Sequence, residues 1–284
     1  MASIAIITDT DSSLPADVAA RYNIRQVPIN IHFGQETFRT GVDIDDAQLF
    51  ARIDRTGKIP TPSAPSPGQF AEAYQAAFAE GAKEAICFCV SSKASATYSA
   101  AVSARNLFAE REITVVDTES VTMGQGFMVL AAAQAAEAGA STGEIVARAI
   151  EVRERVHLYA ALSTLKYLAM SGRVQTLTAG VANLLNVKPI LTLRDGTLDL
   201  LERVRTRSNA WRRVIELVVQ AAGQKPVEQM AILHVNALAE AWLFEKQLRA
   251  SLSCPDTIMM AELTPGLSIY GGAGLVGVAL VASK

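Results

Sequence analysis

Residues 85–98 read Ala-Ile-Cys-Phe-Cys-Val-Ser-Ser-Lys-Ala-Ser-Ala-Thr-Tyr. An apolar run of strand length comes first, a hydroxyl-rich turn follows it, and the next residues are Ala-rich with the spacing of a helix. A strand that passes through a short polar turn into a helix is the repeating unit of α/β proteins. This stretch therefore predicts an α/β fold.

The same alternation extends along the chain in both directions. Further apolar runs, rich in β-branched residues, lie at 4–8, 25–31, 113–116, 187–193, 230–235 and 275–281. Ala-rich segments with helical spacing lie at 66–79, 95–111, 124–138, 142–156, 208–222 and 237–252. Strands that alternate with helices in this way favour a largely parallel sheet.

We predict two domains, because 284 residues exceed the usual size of one domain and the pattern becomes less regular near residue 155. An N-terminal parallel-sheet α/β domain is expected at residues 1–155, and a C-terminal α/β domain at residues 156–284. Ser66 and Pro67 predict one helix start, since serine caps a helix and proline suits its first position. Ser95 predicts another.

Composition excludes several classes of partner. Only 19% of the residues are charged, and 26 Lys plus Arg stand against 28 Asp plus Glu, which argues against disorder and against nucleic acid as a partner. No apolar run reaches the roughly 18–20 residues that a membrane-spanning helix needs. Cys87, Cys89 and Cys254 form an odd set, and the first two alternate within an apolar run, so we expect reduced thiols and a cytoplasmic location.

The hydroxyl-rich turn at residues 91–98 is interpreted as a binding site for a small anion. Hydroxyls and backbone N–H groups converge there at the start of a helix, and the N-terminus of a helix favours negative charge. Ordinary capping would need one serine only. A carboxylate or a phosphate would fit, and no general base stands beside the serines to make one of them a nucleophile.

Asp9 and Asp11 form the pattern that most resembles an enzyme. They follow an apolar strand directly, where a phosphatase of the haloacid dehalogenase type places its nucleophile and its general acid. The next acidic residues, Asp43, Asp45 and Asp46, lie in a polar segment that resembles a loop or a helix start rather than a later strand end. Strand-end and helix-capping roles are therefore the competing interpretation of all these carboxylates.

Two further patterns are read as structural. Residues 272–277 match the dinucleotide pattern G-x-G-x-x-G, but only seven residues follow them, so the glycines are expected to make a tight turn. The three histidines, His32, His157 and His234, lack the spacing of metal ligands. We expect no catalytic residue, no metal and no cofactor.

Several elements, in order along nearly the whole chain, resemble those of the DegV family of bacterial fatty-acid-binding proteins. They are Thr8-Asp-Thr-Asp-Ser-Ser-Leu-Pro15, Pro65-Ser-Pro-Gly-Gln-Phe70, the turn at 91–98, Val116-Asp-Thr-Glu-Ser120, Leu165-Lys-Tyr-Leu168 with Gly172-Arg173, Lys188-Pro-Ile-Leu191 and Arg205-Thr-Arg207. No single element is decisive, and the chain is identified as a member by their order and spacing.

The resemblance implies a two-domain DegV-like fold with the ligand between the domains. The first domain would hold the carboxylate of a long-chain fatty acid such as palmitate, and the second would surround the acyl chain. In the family a separate kinase phosphorylates the bound fatty acid, so the chemistry belongs to that partner. The implied ligand-binding residues are Ser63, Ser92, Ser95, Thr97, Tyr270 and Gly271. Arg173 and Arg205 match arginines that the family associates with the surface facing the kinase.

Three of the departures from the family pattern affect the implied head-group site. Pro62 stands where the family has a threonine, Tyr270 replaces a histidine and Gly271 replaces a threonine. A tyrosine hydroxyl donates one hydrogen bond but stays neutral near pH 7. A different lipid is therefore the alternative ligand within the carrier class, and the phosphatase that would use Asp9 and Asp11 is the alternative outside it.

Overall fold

The computed structural model describes residues 4–164, 168, 187–223 and 225–283. The chain forms two compact units, of which the first contains Met1–Ile44 and Pro60–Glu154. The second contains Asp45–Ile59 and Arg155–Lys284. The short segment Asp45–Ile59 thus belongs to the second unit although the first unit surrounds it in sequence.

Strands and helices alternate through most of the described chain, as the α/β prediction requires. The strands are β1 (Ile4–Asp9), β2 (Arg25–Val27), β3 (Asn30–Phe33), β4 (Glu36–Arg39), β5 (Thr61–Ser63), β6 (Glu84–Cys89), β7 (Glu112–Asp117), β8 (Val156–Ala161), β9 (Lys188–Arg194), β10 (Thr197–Val204), β11 (Val227–His234), β12 (Met259–Glu262) and β13 (Val276–Ala282).

The helices of the described residues fall between these strands. They are α1 (Ala16–Arg21), α2 (Asp46–Thr56), α3 (Pro67–Ala79), α4 (Thr97–Arg105), α5 (Thr122–Glu137), α6 (Thr142–Arg153), α7 (Arg207–Ala222), α8 (Leu238–Arg249) and α9 (Pro265–Gly271). Among them, none combines the length and the apolar character that crossing a bilayer requires. Helix α3 begins as predicted, with Ser66 as its cap and Pro67 in its first turn.

The main sheet of the first unit is parallel, with the strand order β2-β1-β6-β7. Its central strands are buried, and Ile7, Ile86 and Cys87 have no exposed surface. Helix α3 packs on this sheet through Phe70 and Tyr74, and the Tyr74 hydroxyl donates to a backbone carbonyl of α4 at 3.2 Å. The parallel sheet predicted for the N-terminal part is confirmed. A second, antiparallel sheet of β4, β3 and β5 completes the unit.

The second unit has one six-stranded mixed sheet, with the order β10-β9-β8-β13-β11-β12. Only β11 and β12 are parallel neighbours, and every other pair in it is antiparallel. A largely parallel sheet is therefore wrong for this unit. Helices α7 and α8 cover its core, where Trp211 and Phe244 stack edge to face with ring centroids 5.8 Å apart.

Gly277 lies in the middle of this sheet, where β13 pairs with β8 and β11. A Cβ atom at this position would lie 2.7 Å from the Tyr159 carbonyl oxygen and 2.9 Å from the Ala160 Cα atom. Gly277→Ala is expected to lower the free energy of unfolding by about 1–3 kcal/mol, because two backbones would have to separate. Chemical denaturation measures this.

The matched control for this substitution is Gly143→Ala in α6, where a Cβ would meet no atom within 4 Å. Alanine is the better helix former, so this control should keep or slightly raise the stability. Equal unfolding midpoints for the two variants would contradict the close approach at Gly277.

Candidate functional site

Polar residues follow three strands of the parallel sheet at the point where each strand ends. They are the segments at residues 9–13, which begin with the last residue of β1, 91–97 after β6, and 117–122, which begin with the last residue of β7. The carboxyl ends of parallel strands meet at one edge of a sheet, and ligands of open α/β sheets bind at that edge. This edge of the first unit is therefore its candidate functional site.

Asp9 is fully buried, and its carboxylate accepts hydrogen bonds from several segments at this edge. Its Oδ2 atom accepts from the Val90 N–H at 2.7 Å and from the Gln125 side-chain amide at 3.2 Å, and its Oδ1 atom accepts from the Asp11 N–H at 3.0 Å. Burial raises the pKa of Asp9 to about 6, and these hydrogen bonds oppose the shift. Both oxygens are engaged within the fold, which favours the strand-end role of Asp9 over the role of a nucleophile.

Hydrogen bonds to residues at the end of β7 also fix the turn at residues 91–97. The Ser92 N–H donates to Asp117 Oδ1 at 3.1 Å, and the Ser91 N–H donates to the Ser120 carbonyl at 2.9 Å. Backbone N–H groups early in the turn are thus paired with the segment after β7. The turn has a fixed shape before any ligand arrives, which reduces the entropy cost of binding.

Two of the predicted hydroxyls are neighbours at the start of α4. Ser95 Oγ and Thr97 Oγ1 are 2.8 Å apart, and the Thr97 N–H donates to Ser95 Oγ at 3.3 Å. The helix starts at Thr97, with Ala96 at its cap position and no side-chain cap, so the prediction of a helix start at Ser95 was wrong by two residues. The residues before the helix form a turn instead, in which the Ala94 and Ser95 N–H groups both donate to the Ser91 carbonyl, and Ser92 is exposed on this turn.

Ser63 lies apart from this turn in sequence, on β5 of the small antiparallel sheet. Its Oγ atom is 2.8 Å from His32 Nε2, and His32 Nδ1 is 2.9 Å from Thr37 Oγ1. The sequence marks His32 as structural, whereas the structure places its ring directly against a predicted ligand-binding hydroxyl. Thirty-one positions separate the two residues, so no local pattern could reveal the contact.

The predicted residues of the second unit lie at the end of the short helix α9. Gly271 is buried, and a Cβ there would lie 2.7 Å from the Leu275 Cδ1 atom. Gly274 has a φ of +84°, and a Cβ there would lie 2.6 Å from Ser163 Oγ. These glycines allow a tight turn after Tyr270 that brings the backbone close to Ser163, as the sequence predicts.

Ser163 and Lys188 are two polar residues at this turn that are not among the predicted ligand-binding residues. The Lys188 ammonium donates to the Ser163 carbonyl at 2.8 Å. Strand register explains their proximity, because Ala161 of β8 pairs with both Ile190 and Val276. The pairing brings the end of β8, the start of β9 and the glycine turn before β13 to one edge of the sheet.

Asp46 is the most unusual carboxyl group of the second unit. Asp45 caps α2, whereas Asp46 is only 3% exposed and its Oδ2 atom lies at the hydrogen-bond distance of 2.6 Å from the Ser268 Oγ atom. Its Oδ1 atom is buried, and no described residue gives it a hydrogen bond. Burial raises the pKa of Asp46 to about 7. The hydrogen bond with Ser268 opposes the shift, and the charges of Glu262 and Asp45 add to it.

Of the two arginines predicted for the kinase-facing surface, the structure describes one. Arg205 is exposed between β10 and α7, directly before the cap residue Thr206. Arg173 lies outside the described residues. A role for either arginine in binding a partner protein stays a prediction.

The chemistry available at the parallel-sheet edge is that of binding. Neutral hydroxyls and the first N–H groups of α4 donate hydrogen bonds, since the first turn of a helix leaves its N–H groups without intrahelical acceptors. The nearby carboxylates of Asp9 and Asp117 accept hydrogen bonds from the backbone of the same edge. Such an arrangement suits a small anionic group at Ser95 and Thr97.

Comparison with protein families gives a match over nearly the whole chain. A family model described as "Uncharacterised protein, DegV family" matches residues 3–283. A DegV domain-containing protein of Mycobacterium tuberculosis is 34% identical over 278 residues, which cover 97% of this chain and 96% of that protein.

Solved structures give the same family. A protein of Thermus thermophilus, described as a DegV family protein in a study of fatty acid binding, superimposes with a TM-score of 0.90 at 26% identity, covering 99% of this chain and 100% of that one. A Bacillus subtilis protein, described as DegV, a fatty acid binding protein, gives a TM-score of 0.87 at 26% identity, with both chains fully covered. The predicted family and the α/β fold are confirmed.

Proposed function

Because the chain belongs to the DegV family, we propose that it is a carrier that binds a long-chain fatty acid. The observation that carries the proposal is the pair of hydroxyls of Ser95 and Thr97, 2.8 Å apart at the start of α4 on a turn that Asp117 holds in place. A carboxylate placed there would accept a hydrogen bond from the one hydroxyl proton that the Ser95–Thr97 contact leaves over, and it would face the positive end of the helix dipole.

We propose ligand-binding residues in each unit separately: hydroxyls in the first unit and the glycine turn in the second. Ser63, Ser92, Ser95 and Thr97 come from the predicted head-group domain at residues 1–155, and Tyr270 and Gly271 from the predicted acyl-chain domain at residues 156–284. His32 joins them, since its ring lies 2.8 Å from Ser63 Oγ and can donate from that nitrogen in one tautomer.

Affinity would come mostly from the acyl chain and orientation from the head group. Burial of each CH₂ group contributes about 0.8 kcal/mol, so a chain of palmitate length contributes roughly 10 kcal/mol before the cost of association. A buried carboxylate without partners would cost several kcal/mol, which is why the site needs its hydroxyls.

A carrier of this kind presents its ligand to another protein. We propose a fatty acid kinase as that partner, a cytoplasmic location, and Arg173 and Arg205 as residues of the contact surface. No cofactor is required of the carrier itself. The competing phosphatase role is disfavoured by Asp9, because both of its oxygens accept hydrogen bonds inside the fold.

The test is extraction of the purified protein under denaturing conditions, followed by mass spectrometry of the released small molecules. We expect about one fatty acid for each chain, because a buried acyl chain dissociates slowly. Ligand-stripped protein incubated with a mixture of fatty acids should select the same chain length again.

Two results would contradict the proposal. A protein that is empty after purification, and still empty after incubation with the mixture, binds no fatty acid. Release of another lipid class at one molecule for each chain would instead show that Pro62, Tyr270 and Gly271 have changed the ligand within a retained fold.

A further inference from the structure

The hydroxyl group of Ser268 has two partners but only one proton to donate. Its Oγ atom is 2.6 Å from Asp46 Oδ2 and 3.1 Å from the carbonyl oxygen of Leu263. All three groups belong to the second unit, and Ser268 is itself fully buried in the middle of α9. The protonation state of Asp46 therefore decides which of the two hydrogen bonds Ser268 can donate.

A neutral Asp46 satisfies both contacts. Its carboxyl O–H donates to Ser268 Oγ, and the Ser268 O–H is then free to donate to the Leu263 carbonyl. An ionised Asp46 accepts the only hydroxyl proton of Ser268 and leaves the Leu263 carbonyl without that donor. It also puts charge on the buried Oδ1 atom, to which no described group donates a hydrogen bond. Unpaired buried charge is costly, so the observed geometry fits the neutral acid.

The surroundings of Asp46 add negative charge rather than positive charge. Glu262 at the end of β12 and Asp45 beside it on α2 are the charged groups that act on Asp46, and both are acidic. The neighbouring strand β11 ends at His234, whose Nδ1 atom is 3.7 Å from Glu262 Oε1 and whose pKa is lowered by burial. On α9 the titratable side chain is Tyr270. The helix dipole of α2 favours a charge at Asp46, but burial outweighs it.

We propose that Asp46 is a positioning residue for the predicted ligand-binding turn at residues 270–274. In its protonated form Asp46 hydrogen-bonds to Ser268, and this contact holds α9 and the turn in the binding geometry. The proposal rests on the proposed fatty-acid function and adds its regulation by pH. Ionisation of Asp46 would loosen α9 and weaken ligand binding.

The direction of the pH effect follows from the raised pKa. A free aspartate ionises near pH 4, whereas burial raises the pKa of Asp46 to about 7. The stability that the neutral acid contributes is complete below about pH 4 and is lost as the pH rises through 7. Ligand affinity should accordingly be higher at pH 6 than at pH 8.5.

The first experiment compares palmitate affinity at pH 6 and pH 8.5 in the wild type and in three variants. Wild-type affinity should fall about tenfold, as linkage to one proton allows over this interval. Asp46→Asn keeps a donor to Ser268 and does not titrate. Its palmitate affinity should therefore change by less than about twofold between pH 6 and pH 8.5. Ser268→Ala should bind more weakly at both pH values.

Asp54 lies on the same helix but is exposed, so Asp54→Asn should retain the wild-type pH profile. Titration of the fatty acid itself changes the affinity of all variants equally. The difference between the wild type and Asp46→Asn in the pH dependence of affinity is therefore the contribution of Asp46. A pH profile of Asp46→Asn that matches the wild type would overturn the proposal.

The second experiment needs no ligand and so separates this proposal from the proposed function. Hydrogen exchange is measured at both pH values, and corrected for intrinsic rates, for amides that donate to α9 carbonyls, such as the Gly272 N–H that donates to the Ser268 carbonyl at 2.8 Å. Protection should fall at pH 8.5 in the wild type and stay constant in Asp46→Asn. That result supports the Asp46 switch even if no fatty acid binds, whereas constant wild-type protection overturns the switch even if fatty acid does bind.

Discussion

Asp9→Ala is expected to lower the free energy of unfolding by about 3–5 kcal/mol, the largest stability effect among the substitutions considered. The side chain is fully buried, and its removal takes an acceptor away from the Val90 N–H, the Asp11 N–H and the Gln125 amide, of which the amide keeps Thr8 Oγ1 at 2.9 Å. The loss extends beyond one residue, because Asp9 connects the end of β1 with the end of β6 and with α5. Urea denaturation followed by circular dichroism measures the effect.

Two comparisons sharpen this test. Asp54→Ala removes an exposed aspartate and should change the stability by less than about 0.5 kcal/mol. Asp9→Asn keeps the size of the side chain but turns an NH₂ group toward a backbone N–H, so it should cost about 1–3 kcal/mol. A phosphatase would show the opposite signature, with turnover lost and stability retained in Asp9→Asn, and that outcome would contradict the structural role.

The parallel half of the fold could be predicted from local pattern alone. Its strands are buried on both faces, so they appear in the sequence as short continuous apolar runs such as the one before Ser91. The turn at residues 91–97 could be located because several hydroxyls follow such a run at once. Its internal geometry could not, since the exact start of α4 depends on the turn before it, in which two N–H groups donate to the Ser91 carbonyl.

The direction of strands in the second unit is much harder to infer. An apolar run looks the same in a parallel and an antiparallel sheet, so β9 and β13 give no directional signal. Asp195 and Gly196, both with positive φ, form the hairpin turn between β9 and β10, and Asp-Gly is the sequence signal for such a turn. The register shift between Leu200 and Glu202 interrupts the alternation that would have identified β10 as a strand.

Contacts in the candidate sites between residues that are distant in sequence could not be predicted from the sequence either. Asp46 sits in a polar segment that suggests a helix start, and it becomes unusual only because α2 packs on α9 and places Ser268 against it. The two residues are 222 positions apart. Long-range packing also explains why His32, apparently structural, contacts Ser63. The sequence identifies residue types suited to a site, and tertiary packing decides their chemistry.

The double substitution Ser95→Ala/Thr97→Val is expected to weaken fatty-acid binding by about tenfold to a hundredfold. A hydroxyl that donates to a charged group contributes about 1.5–3 kcal/mol, and the double variant removes the one hydroxyl proton that the Ser95–Thr97 pair can give to a carboxylate. Valine keeps the shape of the buried Thr97, and loss of both members of the Ser95–Thr97 contact leaves neither hydroxyl unpaired. The fold should therefore lose only about 1 kcal/mol of stability.

Titration of ligand-stripped protein with palmitate, followed by calorimetry, measures this loss of affinity. Ser103→Ala is the matched control, because Ser103 lies exposed on the same helix and its hydroxyl donates only locally, to the Ser99 carbonyl at 2.9 Å. The control should bind as the wild type does. Comparison of palmitate with an alcohol of equal chain length adds a further check, since the alcohol carries no charge at the head group. The double variant should lose most of the preference for the acid over the alcohol, and an undiminished preference would show that the carboxylate is held somewhere other than the start of α4.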